Sequence, residues 1–203
     1  ELLNNNTMSV SFDHAEGTFL RGIDLYGVSY RSGDNQVTVA QLHSRWNPMT
    51  LLEGEFHLQS LRIAGVQVDW HSDPDAPAGP PLVLDELLAS ILPLPISVRL
   101  SNARLDGATI NYDDASYTIS SLGLDMSLQG RTLAIQDLSF DAEPLTLSAG
   151  LTLELQSPYG VTADASWQLD DSLLEGTQAP GGTLSLQGNL DRLQMEHDLR
   201  GLT

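Results

Sequence analysis

The chain contains no cysteine and no lysine. Without cysteine, a disulfide framework, a thiolate zinc site and a cysteine nucleophile are excluded. Nine arginines face 27 acidic residues, so the formal net charge is −18. Such a field repels nucleic acid and anionic membrane surfaces, and we expect no nucleic-acid partner. The acidic residues are dispersed, which is typical of a solvated surface; binding of a basic partner is the alternative.

Long apolar runs are also missing. None approaches the roughly 20 residues that a membrane-spanning helix needs, and the opening "ELLNNNTMSV" does not resemble a signal peptide. Because the chain does not begin with Met, we interpret it as a piece of a longer protein. Its hydrophobic content of 41% still allows a real core, unlike that of a disordered acidic segment.

Motifs for catalysis or metal binding are absent. The five histidines show no metal-ligand spacing, and the carboxylates at 73–75 and 113–114 fit no calcium loop. Neither G-x-S-x-G nor a phosphate-binding glycine loop occurs. Trp46, Trp70 and Trp167 fall on apolar positions, which favours lining or packing over a sugar platform. We therefore expect no enzyme, no catalytic residues, no metal and no cofactor.

Alternation of apolar and polar residues with a period of two dominates the sequence. Long examples run from Leu145 to Leu155 and from Val161 to Leu169, and turn sequences such as "RSGDN", "DDAS" and "QGRT" separate the runs. This pattern predicts an all-β chain, an antiparallel meander of strands.

Three of the predicted strands change face at a two-residue step that ends in glycine. In "LRIAGVQVDW", at 61–70, the apolar positions are odd before Gly65 and even after it. "IDLYGVSY" and "ARLDGATINY" repeat the change at Gly27 and Gly107. Either a two-residue hairpin turn or a crease inside a continuing strand would produce this change.

The register of the neighbouring strands favours the crease. The pairs around "RSGDN" are Tyr30 with Val37, Val28 with Val39 and Leu25 with Leu42, and those around "DDAS" are Ile110 with Tyr117, Ala108 with Ile119 and Leu105 with Leu122. Within each hairpin the residue numbers of every pair have the same sum, so both strands change face at one level. Because register and burial are tied, we predict a crease at Gly27, Gly65 and Gly107, where glycine tolerates an unusual backbone.

A sheet folded along this crease becomes an elongated β-taco, a groove with an aliphatic lining and a polar outside. Two walls packed directly against each other as a sandwich, about 10 Å apart, are the alternative. The residues predicted to line the groove are Ile23, Leu25, Val28, Val39, Leu42, Leu61, Ile63, Val66, Val68, Leu105, Ala108, Ile110, Ile119, Leu122 and Leu124.

One segment departs from the alternation. Residues 71–81 are rich in proline, and "LVLDELLASIL" at 82–92 has apolar residues at helical spacing before Pro93. We predict one short amphipathic helix over about 82–92, which either caps the sheet or serves as a plug or partner-docking helix. The predicted domains are a first β-groove segment at 1–70, the linker and helix at 71–95, and a second groove segment at 96–203 that continues the first.

The order of these segments resembles a known family. "GTFLRGIDLYGVSYRSGDNQVTVAQLHSRW", "LQSLRIAGVQVDW", the acidic Pro-rich linker and "LPLPISVRLSNARLDGATINYDDASYTISSLGLDMSLQGRTLAIQDLSF" follow one another, with "GTLSLQGNLDRLQMEHDLRG" later. Together they are similar to the N-terminal periplasmic region of the TamB family, among the AsmA-like, repeating-β-groove bridge proteins. The similarity covers roughly residues 8–200, and it lies in the succession of segments because no single motif is diagnostic.

The resemblance implies a periplasmic protein of Gram-negative bacteria, anchored in the inner membrane by an N-terminal helix that this chain lacks. It implies phospholipid transport between the membranes and a role in assembling outer-membrane proteins such as autotransporters. It also implies a TamA-like Omp85 barrel as partner, contacted through a far C-terminal region outside this chain.

Three functions follow as hypotheses. The first is non-catalytic conduction of phospholipid acyl chains along the groove. The second is a scaffold that holds outer-membrane protein strands by β-augmentation at its edges. The third is a closed β-sandwich fragment, adhesin-like, without a groove.

Overall fold

The computed structural model describes residues 3–5, 8–72, 95–170, 179–189 and 191–201. Within these ranges the chain forms strands and one short 3₁₀ helix. The predicted all-β class is confirmed, while the helix predicted at 82–92 lies outside the described residues. No helix in the described ranges is long and apolar enough to cross a membrane.

All strands belong to one open sheet, in the order β1-β2-β4-β5-β6-β7-β8-β9-β10-β11-β12-β13, with β3 beside β4. They are β1 (Leu3–Asn5), β2 (Met8–Ser11), β3 (His14–Thr18), β4 (Gly22–Ser32), β5 (Asn35–Asn47), β6 (Glu55–Trp70), β7 (Ser97–Tyr112), β8 (Ala115–Gln129), β9 (Thr132–Ala142), β10 (Leu145–Glu154), β11 (Gly160–Leu169), β12 (Gly181–Asn189) and β13 (Arg192–Arg200). The 3₁₀ helix, Pro48–Glu53, joins β5 to β6.

One pair of strands departs from the predicted antiparallel meander, since β6 and β7 are parallel. Each has 16 residues and spans about 50 Å. Residues 71–96 connect them, and an extended chain of that length reaches roughly 90 Å, enough to return to the starting end. The Ser97 N–H donates to the Gly54 carbonyl (2.8 Å), and the Asp113 N–H donates to the Trp70 carbonyl (3.0 Å). Both ends of the parallel pair are therefore fixed.

A line of small residues crosses the sheet where the strands change face. Gly27, Gly65 and Gly107 have φ values of +61°, +63° and +76°, in the left-handed region. The register places Ala40 between Gly27 and Gly65, and Gly107 lies beside Gly65 in the parallel pair. Ser120 lies opposite Gly107. We call this line the crease.

Glycine is required at the crease for two separate reasons. The left-handed conformation costs an L-residue roughly 1–2 kcal/mol, which glycine avoids. At Gly65 a Cβ atom would also lie 2.8 Å from the Ala40 Cβ, whereas at Gly107 a Cβ would meet nothing within 4 Å. The two positions therefore separate the backbone requirement from the steric one.

A second line of irregular pairing runs through the wall on one side of the crease. β6, β7 and β9 each contain one more residue there than a neighbouring antiparallel strand, as in a β-bulge. The extra residues occur at Gln59-Ser60, Ser101-Asn102 and Gln136-Asp137, and the Asn102 N–H donates to the Asp125 carboxylate. Bulges bend a sheet locally, so this wall is curved as well as creased.

The described residues form a single layer, with no second layer of described residues packed on it. Every substantial contact between its strands joins neighbours in the sheet. The buried hydrophobic residues are only Ala103, Ala108 and Ala179, and no large side chain in the described ranges is fully buried. A closed sandwich would bury large side chains between its walls, so this is an open sheet.

Alanine substitutions at the crease test these two roles of glycine. We expect Gly107→Ala to lower the free energy of unfolding by roughly 1–2 kcal/mol, the cost of the left-handed backbone. Gly65→Ala should cost more, because it adds the contact with Ala40. Urea unfolding followed by far-UV circular dichroism measures both, and combining Gly65→Ala with Ala40→Gly should recover the excess. Equal costs at the two glycines would contradict the steric role.

Candidate functional site

The two faces of the sheet differ sharply in chemistry. On β11, Val161, Ala163, Ala165, Trp167 and Leu169 face one side and are half-buried, while the intervening polar residues are exposed. Period-two alternation carries this division through the other long strands. In a flat open sheet the faces would be equally accessible, so the lower exposure of the apolar side fits a sheet that curves toward it. We call these sides the apolar face and the polar face.

Rows of apolar side chains run across the strands, parallel to the crease. The row on one side joins Val28, Val39, Val66, Ala108 and Ile119. The row on the other side joins Leu25, Leu42, Ile63, Leu105 and Leu122. Every strand from β4 to β8 contributes to both rows, which puts apolar side chains along both sides of the crease without a gap.

Most of the residues predicted to line a groove are partly accessible. Ala108 is buried at 5% exposure, and Ile23 is the exposed member at 36%. The half-buried ones are Leu25, Val28, Val39, Leu42, Leu61, Ile63, Val66, Val68, Leu105, Ile110, Ile119, Leu122 and Leu124. Their assignment as a lipid lining stays a prediction, but these exposures leave the side chains available to a ligand.

The apolar face continues well beyond these residues. From Leu124 a row passes through Leu138, Ala149, Ala165 and Leu184 to His197. A cavity of about 220 Å³ opens on this part of the face; its apolar lining is Ile135, Leu138, Ala149, Leu151, Ala163, Ala165, Leu184 and Leu186. The period-two alternation over 145–155 and 161–169 is the sequence pattern that indicates this extension of the apolar face.

Two larger depressions, of about 520 and 710 Å³, lie along β9 to β13, and residues of both faces line them. Ser148, Ser166 and Thr183 border both. Such short side chains leave hollows in a twisted sheet, which is concave along one diagonal on each face. Asp137, Asp164, Glu196 and Asp198 contribute to the lining of the larger one. Volume alone therefore does not identify the site, and the continuous apolar chemistry points to the apolar face.

An ionic network joins β4 to β5 on the polar face. The Asp24 carboxylate accepts hydrogen bonds from both terminal nitrogens of Arg45 at 2.5 and 2.8 Å, and it lies 3.1 Å from His43 Nδ1. The Arg45 hydrogen bond holds the pKa of Asp24 below its ordinary value, against partial desolvation and with help from His43. Asp24 therefore stays charged at neutral pH and ties the two strands together outside the groove.

Hydrogen bonds to a carboxylate also fix the start of the linker, at the ends of the strands opposite to the Asp24 network. Asp113 accepts from the Ser72 hydroxyl at 2.6 Å and from the Ser72 N–H at 2.9 Å. The hydroxyl bond, followed by the backbone bond, lowers the pKa of Asp113. Among the described residues no three His, Asp or Glu side chains are grouped to hold a metal ion.

Asp24→Asn tests the ionic network through its dependence on pH. The lowered pKa of Asp24 means that its contribution to stability is present above the unfolded value, about 3.9. That contribution is lost as pH falls through the folded value. We expect the variant to have a lower urea midpoint than the parent at pH 7, with the difference shrinking toward pH 3. Glu16→Gln, at an exposed residue beside His14, is the control, and a pH-independent deficit would contradict the assignment.

Comparison with known proteins identifies a family. The family model described as TamB, N-terminal domain, matches residues 2–141. No curated protein and no solved structure was found to match the chain.

Proposed function

Because this chain belongs to the TamB family, we propose that its creased sheet is a periplasmic bridge segment whose groove conducts phospholipid acyl chains between the inner and outer membranes. The role is non-catalytic. The observation that carries the proposal is the uninterrupted apolar face, which runs across the strands from β4 to β12 and on which the described residues place no second layer.

An exposed apolar face of this extent indicates that a ligand or partner binds over it. Monomeric soluble proteins rarely expose contiguous apolar patches above a few hundred Å², and larger ones usually mark binding sites. Here the rows beside the crease are half-buried aliphatic side chains, and Tyr117 at 60% and Trp70 at 43% exposure also belong to the apolar face. An acyl chain laid along the rows would remove its own surface and theirs from water.

The energetics favour a mobile rather than a tightly fixed ligand. Each methylene removed from water contributes about 0.8 kcal/mol, whichever aliphatic side chain it touches. Because the rows continue from strand to strand, a chain that moves by one methylene exchanges one apolar contact for another. Polar headgroups remain at the open side, in water. Transport of this kind depends on continuity and requires no specific pocket.

The family suggests the setting of this activity. We propose that the segment lies in the periplasm and belongs to a protein anchored in the inner membrane by a helix outside this chain. The same system would serve assembly of outer-membrane proteins such as autotransporters. A TamA-like Omp85 barrel would be its outer-membrane partner, bound through parts of the protein outside this chain.

A second candidate function rests on the edge strand β13. One side of β13 has no neighbour in the described sheet, and its residues are exposed along its whole length. Such an edge is suited to β-augmentation by an incoming strand of an outer-membrane protein. Crosslinks from β13 to nascent barrel proteins, without lipid adducts on the apolar face, would favour this function.

Val66→Arg tests acyl-chain conduction with a matched control one residue away. The guanidinium would interrupt the apolar row beside the crease, because a charge among apolar groups must keep its water. We expect at least tenfold less phospholipid per protein to co-purify with the variant, measured by mass spectrometry. Gln67→Arg introduces the same charge on the polar face and should leave lipid content unchanged.

Two results would contradict the proposal. One is a parent protein that co-purifies with no phospholipid. The other is equal lipid content in the Val66→Arg and Gln67→Arg proteins while both retain the parent circular dichroism spectrum.

A further inference from the structure

Exposed apolar side chains in the described turns cluster at one rim of the sheet. Five lie on the β3–β4 turn and the 3₁₀ helix: Phe19 at 71%, Leu20 at 66%, Met49 at 64%, Leu51 at 40% and Leu52 at 81% exposure. We call residues 19–21 and 48–54 the apolar rim. The described turns at the opposite ends of the strands, 33–34, 71–72, 113–114, 143–144 and 170, form the acidic rim.

The outward position of these side chains is built into the local structure. The Trp46 ring packs between Phe19 and Phe56, with centroid distances of 5.0 and 5.6 Å, and its indole N–H donates to the Phe19 carbonyl. The Asn47 side chain accepts from the Met49 N–H at 3.1 Å and caps the 3₁₀ helix. Both segments of the apolar rim are therefore held in place while their aliphatic side chains face water.

The two rims differ in their charged residues. The acidic rim carries Asp34, Asp113, Asp114, Glu143 and Asp170 and no arginine, whereas the apolar rim carries one arginine, Arg21, and one carboxylate, Glu53. Two other carboxylates near the apolar rim are paired, Asp24 with Arg45 and Glu55 with Arg99 at 3.4 Å. The five carboxylates of the acidic rim thus lie at the ends of the strands opposite to the apolar rim.

We infer that the apolar rim docks on the surface of a phospholipid bilayer. Phe19, Leu20, Met49 and Leu52 would enter the boundary between headgroups and acyl chains, and the exposed Arg21 would meet lipid phosphates. Arg21 has no carboxylate partner among the ion pairs of the described residues, so its charge is available. Aromatic and aliphatic side chains next to a cation are typical of segments that lie in a membrane interface.

The size of the apolar rim favours a lipid surface over a second copy of the chain. A standard protein interface uses about 20–30 residues on each side, and the apolar rim offers five exposed apolar side chains on two short segments. Shallow insertion into a bilayer needs only a few such side chains. Trp46 also pairs with Leu58 of the apolar face, so the docked rim would be continuous with the groove.

Binding to vesicles tests the inference. The vesicles contain phosphatidylethanolamine and phosphatidylglycerol in a ratio of about three to one, and co-sedimentation gives the bound fraction. We expect the parent to bind and the Leu20→Asp/Leu52→Asp protein to bind at least tenfold more weakly. Both substituted residues are exposed, so the fold should persist. Met195→Asp, at a residue of similar exposure (67%) on β13, should bind like the parent.

The remaining outcomes separate this inference from the proposed function. Val66→Arg alters the groove away from the apolar rim and should leave vesicle binding intact, even if it abolishes lipid co-purification. Absence of parent binding, or equal binding by Leu20→Asp/Leu52→Asp, would overturn the inference. Self-association in lipid-free sedimentation velocity that this double variant abolishes, without vesicle binding by the parent, would assign the rim to a second copy instead.

Discussion

The fold depends on one constraint: neighbouring strands must change face at the same level. Side chains alternate across a strand, so a bend that shifts this alternation in one strand alone would turn the apolar side chains of that strand outward. Left-handed glycines make the change at Gly27, Gly65 and Gly107, and Ala40 and Ser120 lie between or beside them. Because the hydrogen-bond register is preserved through the crease, the sheet bends without losing its continuous apolar face.

The same constraint explains why the molecule has an open apolar surface in place of a conventional core. The strands stabilise one another through pairing with neighbours, and the described residues form no second layer. Among the described residues, the buried hydrophobic ones are all alanines. A protein built this way leaves much apolar surface exposed to water. Burial of that surface by a ligand or partner would contribute favourable binding free energy. Because the opposite face is polar, such binding is restricted to the apolar face.

Much of this arrangement is readable in the sequence. The alternation of apolar and polar residues with a period of two predicts the all-β class. The constant sum of the paired residue numbers predicts that Leu25 pairs with Leu42 and Leu105 with Leu122, and the sheet contains both pairs. The face changes at glycine can be recognised in the sequence because glycine commonly marks bulges and close backbone approaches within strands. The bulges at "LQSL", "LSNA" and "IQDL" contain the same change of face between polar residues, but the sequence does not mark them because ordinary side chains occupy them.

Other features were beyond pattern alone. The parallel pairing of β6 with β7 depends on where residues 71–96 return the chain, and linker length permits either direction. The 3₁₀ helix at Pro48–Glu53 is too short for a periodic signal, although Asn47 and Pro48 mark its start. The exposed position of Phe19 and Leu52 depends on how two turns pack around Trp46. The identity of a ligand depends on contacts that alternation does not specify.

The most direct test of the central claim is a photocrosslinking scan along β7 in cells, from residue 103 to residue 110. A groove that carries acyl chains predicts lipid adducts at Ala103 and Leu105 and, beyond Gly107, at Ala108 and Ile110. Arg104, Asp106 and Thr109 should give none. The alternation must therefore change parity at the glycine, where the strand crosses the crease. Absence of lipid adducts, or adducts that ignore this change of parity, would contradict the account.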